Sequence, residues 1–559
     1  MIKKSIIIIV LIQAYVFPQN LDSLYNRLLG LKHTQNPKEN SVQSVNIKPE
    51  KCGFGLIGEI KEHINEFSLE KQNTIEKILA RPTLQKSIVS PSGIFRIHFD
   101  TTGSNIPSYI SGESINYNIN ELAVAFDSAY NYEINILGYL APPKDGTEGG
   151  DDKYDVYVSD IRDYGFTTTD ASVGDNMYTS HIQIDNSFST NEGYNTYGIL
   201  AARATAAHEF HHSIQMGNYI LNFDDRYYHE LTSTAMEEAV YDEVNDYYFY
   251  ISSFFNNTSQ TFIQQSGYNL ALWNIFLRES FGGNAPNTGD KIIKRSWELM
   301  ASPHNNRGII ALAKAMNEFG YSFKHELNKF ATWIYFTNNR TKENEYFEEA
   351  ENYPLVKETS TTDLKPTNMP LTINSKPISI NYSAFLDDSQ GLPDTIVAVL
   401  SNSDVEGAAT ANSNFDFYLT LATSSFEGAN NIADSYYSKI EGSSNGFLSD
   451  SYIINNELAS TFQGRNEIDF AYPQPFRYQS KVISIPTYSD ISGKAELYIY
   501  STDMNLVYSS KKDINNSGNI VVTWEGLSSS NDKLASGVYI YVTKADGKIK
   551  KGKIVILNE

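Results

Sequence analysis

The sequence predicts an α+β domain followed by all-β sandwich domains, and three observations carry that reading. Strand-like runs precede a block of helical periodicity between residues 93 and 365. From about Thr361, short alternating runs take over, separated by turns rich in Ser, Asn, Asp and Gly. Tyr472-Pro-Gln-Pro-Phe476 then marks a linker before a last β module. A chain of 559 residues exceeds what one hydrophobic core supports, so about three to four domains are expected.

Taken in order, the first 19 residues read as a signal peptide. Lys3 and Lys4 form a basic start, and Ser5 to Phe17 is an apolar stretch too short to span a bilayer. Residues 20–92 read as an N-terminal segment or propeptide, with a helical stretch near Ile60–Leu79. In the α+β domain at 93–365, IFRIHF from Ile94 and YDVYV from Tyr154 read as strands, and so does HIQID from His181. Ile119, Leu122, Ala123, Phe126, Ala129 and Tyr130 recur at helical spacing, and Gly138 stands where that helix would end. Helices are expected at about Gly198–Tyr219 and Tyr228–Tyr241, and 260–340 reads as mostly helical. ISINYSAF, TIVAVL and FDFYLTLAT place one β-sandwich at 366–470, and 471–559 forms the last module.

The net charge of −22 comes with no long Lys/Arg run, which argues against a nucleic-acid or anionic-membrane partner. Cys52 is the only cysteine, so no intrachain disulfide forms and an exported chain must rely on its cores and on bound metal.

The chemistry concentrates in Ala206-Ala-His208-Glu209-Phe-His-His212-Ser-Ile-Gln215. This contains HExxH: on a helix, residues four apart share a face, so His208 and His212 can bind one metal. Glu209, offset around the helix, is placed to take a proton from the water that such a metal activates and to return it to the leaving amine. Zinc suits two imidazoles and one carboxylate with a fourth position left open. The next helix offers that carboxylate: Glu230 lies eighteen positions after His212 and is the expected third ligand. Glu237, two turns further along the same face, is the competitor, and Glu238 a weaker one.

HEFHH at 208–212 and ELTSTAMEE at 230–238 resemble the gluzincins, the zincin group that includes thermolysin and the zinc aminopeptidases. They are also similar to a group of secreted bacterial proteins with a comparable HExxH helix, an E-x6-E helix and a YDVYV-type strand. The resemblance, over about residues 93–340, implies a zincin-like fold, zinc at His208, His212 and Glu230, and peptide hydrolysis. It also implies that an edge strand pairs with the substrate backbone, which assigns the cleft to His181–Asp185. Gluzincins often supply an oxyanion donor downstream, and Tyr268 is the candidate beside its ordinary packing role. Two departures stand out. Thr234 occupies the position where thermolysin-like enzymes carry an Asp supporting a metal histidine, and no GxMEN motif is present, which favours an endopeptidase.

Three further features have competing readings. Cys52, in Lys-Cys-Gly, reads first as a small core residue; the alternative is a thiolate on the open zinc position, similar to the cysteine switch of matrix metalloproteases, whose longer motif is absent. The acidic turn Asp145–Asp155 reads as solvated, with calcium binding through its oxygens as the alternative. In the last module, YPQPF at 472–476, AELYIYSTDMNLV at 495–507, Trp524-Glu-Gly526 and Ala535-Ser-Gly-Val-Tyr539 resemble the sorting domains of the type IX secretion system. This implies that the secretion machinery is a partner and that the protein is secreted or held at the cell surface. The sequence thus reads as a secreted zinc peptidase acting on protein or peptide substrates. The rival is a non-catalytic surface adhesin on a degenerate zincin scaffold.

Overall fold

The computed structural model describes residues 21–31, 49–341, 346–363, 369–387, 394–405, 415–425, 428–440, 448–454, 471, 473–487, 494–514, 521–545 and 547–558. The expected signal peptide and Tyr472 lie outside them. Among the described residues, no helix is long and apolar enough to cross a membrane.

The chain is a mixed α/β protein with several β-sheets. Three short helices come first: α1 (Leu21–Leu29), α2 (Phe54–Glu62) and α3 (Leu69–Leu79). Leu28, Ile57, Ile60 and Ile75 form a small core that also takes in Ile161 and Phe166 from the next unit. A five-stranded sheet follows, built from β1 (Lys86–Val89), β2 (Phe95–Phe99), β3 (Tyr154–Ser159), β4 (Gly165–Gly174) and β5 (Met177–Asp185). Its order is β1-β2-β3-β5-β4. The central three strands are parallel and the two outer ones antiparallel to their neighbours. One face of the parallel strands is apolar, with Ile97, Val156, Val158, Ile182 and Ile184, while the other carries Arg96, His98, Asp155, His181 and Gln183.

Two sequence expectations change here. β1 pairs with β2, so the sheet begins before residue 93. The strand at His181–Asp185 is internal, between β3 and β4; the edge facing the helices is β4, whose Thr-rich stretch gave no alternating signal.

Helices α4 (Ile115–Tyr130), α5 (Gly198–Asn218) and α6 (Arg226–Val240) pack with this sheet. Ser114 caps α4 by accepting from Tyr117 N at 3.2 Å. α5 is buried almost all round, and Ala201, Ala202, Ala204, Ala206 and Ala207 allow its close approach. Gly165 completes that fit: a Cβ there would lie 2.9 Å from Thr205 Cγ2 and 3.2 Å from Glu209 Cγ. Five further helices follow: α7 (Tyr248–Asn256), α8 (Ala271–Phe281), α9 (Thr288–Met300), α10 (Gly308–Glu318) and α11 (Phe323–Tyr335).

The next sheet has strand order β11-β10-β9-β8-β6, from β6 (Ser360–Asp363), β8 (Ser379–Asp387), β9 (Asp394–Asn402), β10 (Phe415–Ser425) and β11 (Gly428–Ile440). β7 (Met369–Ser375) pairs with β12 (Leu448–Ile454). The sequence divides the chain near residue 366, but the apolar core crosses that point: Ile380, Tyr382 and Val399 join the helical cluster. Tyr382 Oη donates to the Ala331 carbonyl of α11 at 2.6 Å. The last module has its own core, formed by Phe476, Leu497, Trp524, Tyr541 and Ile554 among others.

Candidate metal centre

Helices α5 and α6 run side by side and bring their polar faces together inside the protein. His208 and His212 are one turn apart on α5, and their Nε2 atoms lie 3.1 Å from each other. From α6, Glu230 Oε2 lies 3.2 Å from His208 Nε2 and 3.4 Å from His212 Nε2. All three side chains are buried, at 2% exposure or less.

His208 Nδ1 lies 2.7 Å from Glu237 Oε1, an acceptor only, so Nδ1 carries the hydrogen. His212 Nδ1 lies 2.8 Å from Gln215 Oε1. That oxygen is the acceptor, because Gln215 Nε2 faces the acceptor-only His229 carbonyl at 3.1 Å, with Thr232 Oγ1 and Ser233 Oγ also within reach of its two hydrogens. As neutral rings held in that tautomer, both Nε2 atoms would aim lone pairs at one point, beside a Glu230 carboxylate whose oxygens have no other hydrogen-bond partner. A buried carboxylate facing two imidazoles calls for positive charge, which a proton on His208 or a metal ion between the three groups supplies. A tetrahedral zinc with bonds of about 2.0–2.2 Å spaces its ligand atoms about 3.3–3.6 Å apart, so the donor types suit that ion and the spacing comes within a few tenths of an ångström of it. Burial disfavours an imidazolium at His208, yet Glu230 and Glu237 outweigh it and lift its pKa to about 9. Burial likewise opposes a charge on Glu230, but His208 and His212 hold it ionised, down to about 2.

The residues expected from sequence come together here with different roles. Glu237 touches the far nitrogen of His208 and does the orienting work for which Thr234 is too short. Glu238 faces elsewhere: burial, then Glu349 and Asp242, raise its pKa to about 10. His211, the remaining histidine of HEFHH, turns away to pair with buried Glu133 at 2.8 Å. Glu209 accepts from Thr167 Oγ1 at 2.8 Å through Oε2, while Oε1 is buried without a hydrogen-bond partner. Tyr268 packs beside the centre, its ring 6.1 Å from that of His208. Gly267 makes this approach possible: it has φ +95°, and a Cβ there would lie 2.5 Å from both Glu230 Cβ and Tyr227 O.

Cys52 is a buried core residue, as its simpler reading has it, packed with Phe54 and Met216. It also stands at the site: one ligand atom each from Cys52, His208, His212 and Glu230 lie within 4.8 Å of one another. Burial first, then the neighbouring Glu209 and Glu230, push the thiol pKa well up. Lys51, also buried, forms an ion pair with Glu237 Oε2 at 2.7 Å and another with Asp246. Phe54 stacks on His212 with ring centroids 4.3 Å apart and planes at 11°.

Sequence reasoning left Gln215, Ser233, Thr167 and Lys51 without roles. The usable signal was Gln215, three residues after His212 and thus on nearly the same helix face. The acidic turn is neutralised by basic side chains: Arg81 meets Asp145 and Asp155, Arg96 and Lys153 meet Asp151, and Lys144 meets Asp152. Its carboxylates do not converge on a cation position.

No family model and no curated protein matches this chain. Among solved structures, it is similar to dimeric latent PorU from Porphyromonas gingivalis at 13% identity and a TM-score of 0.14, covering 35% of this chain and 21% of that one. It is also similar to PorZ, described as an essential bacterial surface component of the type IX secretion system of the same organism. Identity there is 10% and the TM-score 0.13, over 33% of this chain and 39% of that one. Overlaps this slight carry no functional information.

Proposed function

We propose that the protein is a zinc-dependent peptidase with a zincin-like catalytic unit, exported from the cell. The observation that carries this reading is the convergence of His208 Nε2, His212 Nε2 and Glu230 Oε2 within 3.4 Å, with both Nδ1 atoms already engaged. His208, His212 and Glu230 would hold the ion. Zinc bound there supplies a Lewis acid that polarises a carbonyl and acidifies a water.

The chain's own groups do the rest. Glu209 Oε1, buried and unpaired, takes the proton from the attacking water and returns it to the leaving amine. Thr167 fixes the other oxygen of the same carboxylate, so one oxygen stays aimed at the reaction. Glu237 and Gln215 set the two ligand imidazoles in the Nδ1–H tautomer and hold their rings in place. Edge strand β4 offers backbone groups for an extended peptide. Tyr268, whose hydroxyl donates to the Cys52 carbonyl at 3.4 Å in this structure, is the candidate donor to the oxyanion once that segment leaves.

Metal analysis of the purified chain, with cleavage of a mixed peptide library before and after limited proteolysis, tests the reading. One equivalent of zinc and chelator-sensitive cleavage are expected. A metal-free chain that cleaves nothing would return the protein to a binding role.

Export rests on the resemblance of residues 471–559 to a sorting domain. Because that module has its own core, deleting residues 473–559 is expected to leave zinc content and peptidase activity within about twofold, since domains with separate cores fold apart. The same deletion is expected to stop the protein at the outer membrane. Cell fractionation with immunoblotting reads the result; normal appearance of the truncated chain in the medium defeats the sorting assignment.

A further inference from the structure

Residues 49–62 do not simply lie beside the metal centre; they plug it. Cys52 reaches the centre, and its Sγ lies with the ligand atoms of His208, His212 and Glu230, all within 4.8 Å of one another. A hydrolytic zinc keeps one of four positions for water, and a thiolate here would take it. Independently of the cysteine, the centre contains buried carboxylate atoms without hydrogen-bond partners: both oxygens of Glu230 and Oε1 of Glu209.

The flanking residues pack against β4 and the metal centre. Gly53 N donates to the carbonyl of Gly165 at 2.9 Å, at the start of edge strand β4. Lys61, at the end of α2, donates to Thr168 Oγ1 at 3.0 Å and to Thr169 Oγ1 at 2.6 Å further along the same strand. Phe54 covers the His212 ring. Lys51 anchors the plug from the other side through Glu237, the residue that orients His208, and through Asp246.

We infer that the N-terminal segment carrying Lys51-Cys52-Gly53-Phe54 is a built-in inhibitor, in which the Cys52 thiolate is the fourth ligand of the metal and keeps the peptidase latent until the segment is displaced. On binding, the thiol releases its proton to solvent and forms a sulfur–metal bond; displacement breaks that bond and admits water. The block is at the metal position, and the hydrogen bonds to the Gly165 and Thr169 carbonyls of β4 hold the segment in place there. This inference rests on the metal-centre reading above.

The test uses the full chain loaded with cobalt(II) in place of zinc. One equivalent of cobalt is expected to give thiolate-to-cobalt charge-transfer absorption in the near ultraviolet. Cys52→Ala and Cys52→Ser are expected to bind the same equivalent without that absorption. With zinc, both variants are expected to hydrolyse peptides at least about 10²-fold faster than the full native chain, the factor for a closed form populated 99 to 1. Circular dichroism and metal stoichiometry verify that the variants fold, and Cys52→Ser covers the case in which the alanine variant does not. Stoichiometric cobalt without the thiolate band would overturn the inference and leave the metal centre standing. A band with no gain in activity in either folded variant would overturn the latch. A full chain that binds neither cobalt nor zinc would remove the metal centre itself, and the inference with it.

Discussion

Replacing Glu209 by Gln is expected to leave one equivalent of zinc in place and to slow peptide hydrolysis by at least about 10²-fold, the usual contribution of a positioned general base. The substitution is close to isosteric, and the amide still accepts from Thr167, whose hydroxyl lies 2.8 Å from Oε2. None of the three convergent ligand atoms belongs to Glu209, so the metal has no reason to leave. What disappears is the unpaired buried oxygen able to accept a proton. Rate and metal content should be measured in both the native and the Cys52→Ala chain, so that latency does not hide the effect. A variant that keeps near-native turnover would sink the assigned mechanism, whatever its zinc content.

The second large effect separates two glutamates on one helix face. Glu230→Ala removes one of three converging ligand atoms and is expected to lose the metal on dialysis, with activity falling to background. Glu237→Ala removes only the partner of His208 Nδ1 and is expected to retain zinc, with affinity lowered about 10- to 100-fold, as is typical when an outer partner of a metal ligand is deleted. That variant also leaves buried Lys51 with Asp246 as its remaining acidic partner, so its N-terminal plug should loosen. Zinc titration against a competing chelator measures both affinities. If Glu237→Ala loses the metal and Glu230→Ala keeps it, the ligand assignment passes to Glu237.

Local periodicity made the main helices legible. The helix expected over about Gly198–Tyr219 runs Gly198–Asn218, and the one expected over Tyr228–Tyr241 runs Arg226–Val240. Both carry dense small and apolar residues at helical spacing, and little competes with that signal. Strand β4 was not legible: half of it is exposed, and its Thr-rich half is held by pairing with β5. Strand propensity depends on neighbours that a single sequence does not display. The boundary near residue 366 was legible as a change of texture, but not as a break in the core, because Tyr382 and Val399 pack on α11 across it.

The sequence by itself determined the chemistry on offer. HExxH fixes two imidazoles on one helix face and a carboxylate beside them, since four residues make just over one turn. It also narrowed the third ligand to one short helix, and the single cysteine excluded a disulfide framework. Only the tertiary structure decided which glutamate meets the Nε2 atoms and which meets an Nδ1. Glu230 and Glu237 share a face, and the crossing of α5 and α6 sets their heights against the histidines. Only the tertiary structure, too, took Cys52 from the N-terminal segment to a site formed more than a hundred and fifty residues later in the chain. No local pattern encodes that contact. It comes from Lys51 finding Glu237 and Asp246, and from Gly53 meeting the edge of β4.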